Sequence, residues 1–294
     1  MNVTGPEFTD VFYHFELPRL LLSLIVGCTL ALTGVMTQSL FHNPLAEPGV
    51  LGISSGASLF SLIGLLVFPL SWQQATVLGL LSGAGAAVVA SLLMLLLQNK
   101  RLPIVHLLLT GVLINAFCGG IIQLMTLLME GERLRGWLFW SSGQLGNASW
   151  MQVAILGGLT SCIALLFWRK YEALDALLLG DEVAYSIGVD PKVVQRFILL
   201  GAAILVAACL MVCGHIAFIG LMAPHLARLW KGAAHKRLIP LSMLLGGALV
   251  CMADLLCQHL LEGSELPVGT LTTLMGVPVL MHALIFEKTE FSER

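Results

Sequence analysis

From Leu20 to Leu40 the chain carries no charged residue, and comparable apolar runs recur along its length. A helix needs about 20 predominantly apolar residues to cross the hydrocarbon of a bilayer. Cut at charges and at Gly/Pro clusters, the sequence yields nine candidate spans: roughly 17–40, 52–70, 73–98, 103–129, 149–168, 193–214, 216–230, 238–261 and 267–286. The pattern predicts an all-α fold, a polytopic transmembrane helical bundle forming one domain over residues 1–294. Only 11% of the residues are charged, against about a quarter in a soluble domain, so lipid has to replace water around most of the surface. The seventh run is too short to cross unaided and is expected to lie among other helices.

Basic residues near span ends stay on the cytoplasmic side. One set of ends holds Lys100, Arg101, Arg169, Lys170, Lys192, Arg196, Arg228, Lys231, Lys236, Arg237, Lys288 and Arg294. The opposite ends hold Arg19, Arg133 and Arg135 beside Glu16, Glu130, Glu132, Glu262 and Glu265. This asymmetry predicts a cytoplasmic C-terminus and, with nine spans, an N-terminus outside, although residues 1–16 have neither the basic region nor the apolar core of a signal peptide. A net charge of −2 without a clustered basic face excludes a nucleic-acid footprint. The seven cysteines fall inside apolar stretches and form no C-x-x-C pair. They read as small buried residues, and Cys209 and Cys213, one helical turn apart, lack the His or carboxylate partners of a metal site.

Two segments break the simple pattern. Tyr171 to Pro191 mixes polar with small and apolar positions and is long enough for two short amphipathic helices that no membrane would hold. It reads either as a solvated loop or as an ordered docking surface for a soluble partner. The run from Phe41 to Gly56 puts two prolines and three glycines between apolar helices, and irregular backbone at membrane depth survives only inside protein or along a cavity.

Several short motifs carry candidate chemistry. Gly52-Ile53-Ser54-Ser55-Gly56 matches G-x-S-x-G, the turn that presents a nucleophilic serine in hydrolases, but no strand precedes it. An intramembrane serine hydrolase, with His106 or His215 as base, is the enzyme-class alternative. Asp254 is the one carboxylate well inside a predicted span, and an intramembrane acid is a functional candidate by default. It supports a proton-coupled secondary transporter as a second alternative, against the commoner reading of a carboxylate paired with a polar neighbour. Gly79 and Gly83 form G-x-x-x-G, followed by Gly85, and predict close helix packing. No G-x-x-x-x-G-K-[ST] occurs, so any driving ATP binds another chain.

The run Asn43-Pro44-Leu45-Ala46-Glu47-Pro48-Gly49-Val50-Leu51-Gly52-Ile53-Ser54-Ser55-Gly56-Ala57 resembles the signature of the FecCD permease family, membrane subunits of importers for cobalamin, ferric siderophores and haem. Leu17-Pro18-Arg19, Leu107 to Gly111, Phe218 to Leu221 with Pro224, His225 and Arg228, and Glu265 to Gly269 before Gly276-Val277-Pro278 agree in order. The resemblance implies a permease in the bacterial inner membrane, one half of a homodimer or of a pair with a closely related permease. Two ATP-binding subunits would supply ATP and Mg from the cytoplasm, and a substrate-binding protein would dock outside. No cofactor is then bound by this chain, and the cargo is a large metal chelate.

The resemblance also assigns residues. Its coupling helices fall on the segment around Gly180, Asp181, Glu182, Ala184, Ser186 and Gly188, where Gly180, Ala184 and Gly188 recur every four residues and are expected to share the face that admits the ATPase. Asn43, Pro44, Glu47, Pro48, Gly49, Gly52, Ser54 and Gly56 form the structural motif. Pro103, Ile104 and Val105 replace the family's small polar gate with an apolar seal, and Gly111 and Asn115 follow along the translocation path. Arg19 is the docking residue that remains for the binding protein, Glu16 and Gln258 standing where cobalamin members have arginines. The family fold has ten helices, and this sequence begins just before the second. The missing helix is expected as an in-frame apolar stretch of about 20 residues upstream of Met1, preceded by basic residues.

Without a P-loop, the purified chain is expected to hydrolyse no ATP in a coupled phosphate-release assay. Stoichiometric hydrolysis by a demonstrably pure chain would overturn the subunit reading.

Overall fold

A computed structural model describes residues 12–67, 75–98, 104–260, 266–278 and 281, and among them every regular element is helical. A short π-helical turn, Phe12–Glu16, leads into α1 (Leu17–Leu40), and a 3-10 turn, Pro48–Leu51, precedes α2 (Ile53–Val67). Then follow α3 (Ala75–Gln98), α4 (Ile104–Leu127), α5 (Gly131–Ser141), α6 (Trp150–Arg169), α7 (Tyr171–Leu178) and α8 (Asp181–Ser186). The rest are α9 (Pro191–Cys213), α10 (Ile219–Lys231), α11 (His235–Leu260) and α12 (Val268–Pro278).

Six helices are long and apolar enough to cross a membrane: α1, α3, α4, α6, α9 and α11. The shorter α2, α10 and α12 occupy the other three predicted runs, and the inward face of α10 is buried from Ile219 to Ala227. The sequence reading missed α5, whose Glu132, Arg133 and Arg135 interrupt the apolar count. It also left the turn at Pro48–Leu51 unassigned.

The bundle is organised around α1, which packs against α11, α9, α10 and α6. In lipid the hydrophobic effect does not drive helices together, so association rests on close van der Waals approach at small residues. A methyl group at Gly27 would lie 2.1 Å from the Gly246 carbonyl oxygen of α11, and one at Gly34 would lie 1.8 Å from that of Gly220 in α10. Gly56 and Gly85 make the same contact between α2 and α3. Of the predicted pair, Gly79 and Gly83 both face Met211 of α9, while the closest approach on α3 belongs to Gly85. The hydroxyls on α1 return to their own helix, Thr37 to the Thr33 carbonyl at 2.6 Å and Ser39 to the Val35 carbonyl at 2.7 Å, so these two donors are satisfied in a dry interior. Between helices, the Thr29 and Thr160 hydroxyls join α1 to α6 at 2.7 Å.

Outward-facing large apolar residues, among them Leu80, Val88 and Leu95 on α3 and Leu113, Phe117 and Leu124 on α4, give these helices lipid-compatible surfaces.

Gly34→Leu forces α1 away from α10 and is expected to cost about 1–3 kcal/mol or more, read as a lower unfolding temperature of the detergent-solubilised chain. Gly158→Ala on α6, with nothing within 4 Å of the added methyl, serves as the neutral control. Equal melting of the two variants would refute this account of α1.

Candidate functional site

The segment predicted to be two short amphipathic helices is α7 and α8, at the end of the bundle that gathers Lys170, Lys192, Lys231 and Lys236. Asp175 on α7 anchors it. One carboxylate oxygen accepts the backbone N–H of His235 at 3.0 Å and lies 2.6 Å from its ring Nδ1, so it caps α11 at its first residue. The far ring nitrogen, Nε2, is 2.6 Å from Ser39 Oγ near the end of α1. The order Asp175–His235–Ser39 is that of a catalytic relay, but Ser39 is 2% exposed and His235 1%. These side chains tie three helices together. Asp181 holds α8 against α9 by accepting from Gln195 at 3.2 Å. Lys236 lies 5.4 Å from the Tyr171 ring centroid, and the hydrogen bond from the Tyr171 hydroxyl to Glu172, with that carboxylate's charge, pushes the phenol's pKa up.

The face of α8 differs from the expected one. Ala184 is fully buried, bonded through its amide to Gly180 and through its carbonyl to Val189, so it fits α8 to its own chain and is not presented to a partner. Gly180 and Gly188 do not continue the helix. Their φ values of 101° and 88° make them the bends at its two ends. Leu179 (65% exposed), Tyr185 (73%) and Ile187 (61%) project outward with Val183. Asp181, Glu182, Ser186 and Gly188 are also exposed. Sequence periodicity could not find this face, because it assumed one helix where two bends interrupt the chain.

At mid-bundle two irregular stretches meet, the signature turn between α1 and α2 and the loop from Gly214 to Phe218 between α9 and α10. Asn43 closes the first with an Asx turn, its side chain accepting from the Leu45 amide at 2.9 Å, while Pro44 adds no donor. Glu47 reaches across to the second, accepting the Phe218 amide at 2.7 Å, and so places a carboxylate at the N-terminus of α10. Phe218 has a left-handed backbone, φ 69°. Asn115 donates to the Gly49 carbonyl at 2.9 Å and accepts from the Ser55 hydroxyl. Gly111 admits the turn itself, since a methyl there would lie 2.1 Å from the Val50 carbonyl, and Gly52 turns with φ 77°. The structure thus engages Gly111 and Asn115 in holding the signature turn. Ile104 and Val105 open α4 with Val105 exposed, and Pro103 lies outside the described residues.

Glu47, Pro48, Gly49, Ser54 and His215 line a cavity of about 60 Å³ between these stretches. Ser54 begins α2 after a 3-10 turn, and among the described residues its hydroxyl has no hydrogen-bonded base. His215 also borders a more open pocket of about 320 Å³ with Ser141, Ser142, Thr270 and Thr273. Cys209 and Cys213 lie with their sulfurs 3.6 Å apart, and no group of three metal-ligating side chains forms among the described residues.

At the opposite end Arg19 and Asp254 form a two-pronged ion pair, Nε to Oδ2 at 3.0 Å and Nη2 to Oδ1 at 2.9 Å, joining α1 to α11. Gln258 donates to the same carboxylate at 2.9 Å. Asp254 is therefore the paired carboxylate of the commoner reading, and the residues singled out for docking and for proton coupling belong to one cluster.

Comparison with known proteins places this geometry. The model of the FecCD transport family matches residues 4–286. The chain is 37% identical to the hemin transport system permease protein HmuU of Yersinia pestis, over 98% of this chain and 87% of that one. It is 35% identical to the vitamin B12 import system permease protein BtuC of Vibrio cholerae, over 94% and 83%. It is also 35% identical to the iron(3+)-hydroxamate import system permease protein FhuG of Bacillus subtilis, over 94% and 83%. A solved structure described as an inward-facing conformation of a metal-chelate type ABC transporter superposes with a TM-score of 0.88 at 26% identity, covering 98% of this chain and 91% of that one. The chain belongs to the FecCD transport family.

Proposed function

We propose that this chain is the membrane-spanning permease subunit of an ATP-driven importer that carries a large metal chelate of the haem, siderophore or cobalamin class across the bacterial inner membrane. The observation that carries the reading is the platform of α7 and α8: an ordered helix pair with Leu179, Val183, Tyr185 and Ile187 exposed, tied through Asp175 and His235 to the ends of α11 and α1. An apolar patch on two short helices among lysines has no use for lipid. It suits a soluble ATPase whose movement has to reach the spans. The charge asymmetry supports a cytoplasmic location for this platform and for the C-terminus. The family relationship supports two such ATPases, a second permease copy completing the path, and a binding protein on the far side near Arg19. In the same reading Ile104 and Val105, with Pro103, form the apolar gate.

Val183→Asp with Tyr185→Ala removes the patch without touching Ala184 or the Asp175 anchor. Loss of two central contacts of about 2 kcal/mol each is expected to abolish co-purification of the ATPase and reduce chelate uptake to background, with insertion unchanged. Normal retention and uptake would return the segment to a mere loop.

Asp254→Ala breaks the two-pronged pair with Arg19 and removes the acceptor of Gln258, and is expected to destabilise the chain by about 3 kcal/mol, read by thermal unfolding. Uptake by the unaltered importer is expected to survive collapse of the proton gradient while ATP is held constant. Abolition of uptake by a protonophore at constant ATP would instead favour the proton-coupled transporter.

A further inference from the structure

The last turn of α9 carries a pair of donors that neither the spans nor the platform uses. Cys209 and Cys213 stand one helical turn apart, both buried and both free thiols, with their sulfurs 3.6 Å from one another. The Cys213 thiol also donates to the Cys209 carbonyl at 3.2 Å, which turns it back along its own helix toward its neighbour. Burial asks only for small residues at these places. Two sulfurs in mutual contact are in addition a two-pronged soft donor, and their positions are set before any ligand arrives. Cys213 closes α9: its carbonyl accepts the Gln144 amide at 2.8 Å. Gly214 follows with φ 68°, so near Trp140 that a methyl there would lie 2.2 Å from its carbonyl oxygen. Cys209 borders the cavity of about 60 Å³ whose walls include Glu47 and Ser54.

We infer that Cys209 and Cys213 form a two-thiol site for a trivalent arsenic centre, with arsenous acid as the ligand it takes. Thiolates select soft centres, and the spacing selects among them. With bonds to sulfur of about 2.3 Å, a linear two-coordinate ion would hold its sulfurs about 4.6 Å apart, whereas a pyramidal centre with a bond angle of roughly 100° holds them about 3.5 Å apart. The observed 3.6 Å matches the second. Zinc would need two further ligands, and no third histidine, cysteine or carboxylate joins the pair among the described residues. A pyramidal centre needs only one more, and the hydroxyl it already carries supplies it, beside the polar wall that Glu47 and Ser54 give the cavity. In the reaction two As–O bonds break and two As–S bonds form; each thiol proton leaves with a hydroxide as water, and arsenic stays trivalent. Arsenous acid is uncharged at neutral pH and the product is neutral, so no ion is stranded in a dry interior. The second As–S bond forms within one molecule, which lets two held thiols bind where scattered ones do not. The site stands apart from the importer reading and holds whatever the chain transports.

The test incubates the detergent-purified full chain with arsenite in the absence of other thiols, counts the arsenic retained per chain by elemental mass spectrometry after gel filtration, and reads its neighbours by X-ray absorption at the arsenic edge. The unaltered chain is expected to retain one arsenic with two sulfurs and one oxygen around it, released by a dithiol such as dithiothreitol and not by a monothiol at the same concentration. Cys209→Ala and Cys213→Ala are each expected to bind arsenite about tenfold more weakly or worse. Cys162→Ala, which removes an exposed thiol on α6, serves as the control and is expected to change nothing. Where alanine unsettles the end of α9, Cys209→Ser and Cys213→Ser, checked for monodispersity, keep the shape of the side chain and still lack the sulfur. Undiminished binding by a folded variant of either cysteine, a shell of three sulfurs, release as ready by the monothiol, or no arsenic on the folded unaltered chain overturns the inference.

Discussion

The Glu47 carboxylate accepts the Phe218 amide, and through that one bond two interruptions of helical structure come to support each other. Each interruption alone would strand backbone donors and acceptors where no water reaches, at several kilocalories per group. Together, the negative charge of Glu47 meets the positive end of α10, and the turn it sits on is clamped from behind by Asn115 on α4. The left-handed backbone of Phe218, uncommon for a bulky residue, persists because its surroundings leave no alternative: Gly276 of α12 lies close enough that a methyl there would meet the Phe218 side chain at 2.7 Å. The loop that carries His215 and the signature turn are in this sense one object, held by α4, α10 and α12.

The two ends of α1 are fastened by polar side chains in different ways. Near Leu17 the fastening is the Arg19–Asp254 pair, nearly dry and bidentate, with Gln258 using a remaining lone pair. Near Leu40 it is the neighbouring Asp175–His235–Ser39 relay. Between them glycines set the separation from α11 and α10. The ion pair and the relay fix which residues face one another, while the glycines determine how closely the backbones approach.

Much of this was legible in the sequence because membrane burial leaves a coarse record. Runs of about 20 apolar residues mark helices whatever their partners, and the amphipathic stretch after Arg169 stood out because lipid would reject it. What failed to show were features made by contacts distant in sequence. The Arg19 to Asp254 pairing spans 235 positions, so Asp254 looked solitary. His235, at the start of a span, gave no hint that Asp175 and Ser39 would bracket it. Ala184 was placed on the wrong face for a local reason: Gly180 and Gly188 take φ values that a helix cannot hold, and the four-residue spacing that suggested a shared face describes two bends and the buried residue between them. Even the short α5 was hidden by its own arginines.

The relay at the base of α1 has a mechanical corollary. Links of 2.6 Å through the buried His235 have almost no slack, so a displacement of α7 reaches α1 and α11 without backlash, and the glycine contacts prevent those two helices from sliding past each other. Input at this end therefore turns α1, α10 and α11 as a block, and the compliance of the molecule has to lie elsewhere. The natural candidate is α4, which buries few of its residues against the rest of the chain and packs chiefly on α2 and the signature turn. Under the importer reading proposed above, a stiff block turning beside a loosely held helix would convert a small rotation at its base into a widening along α4.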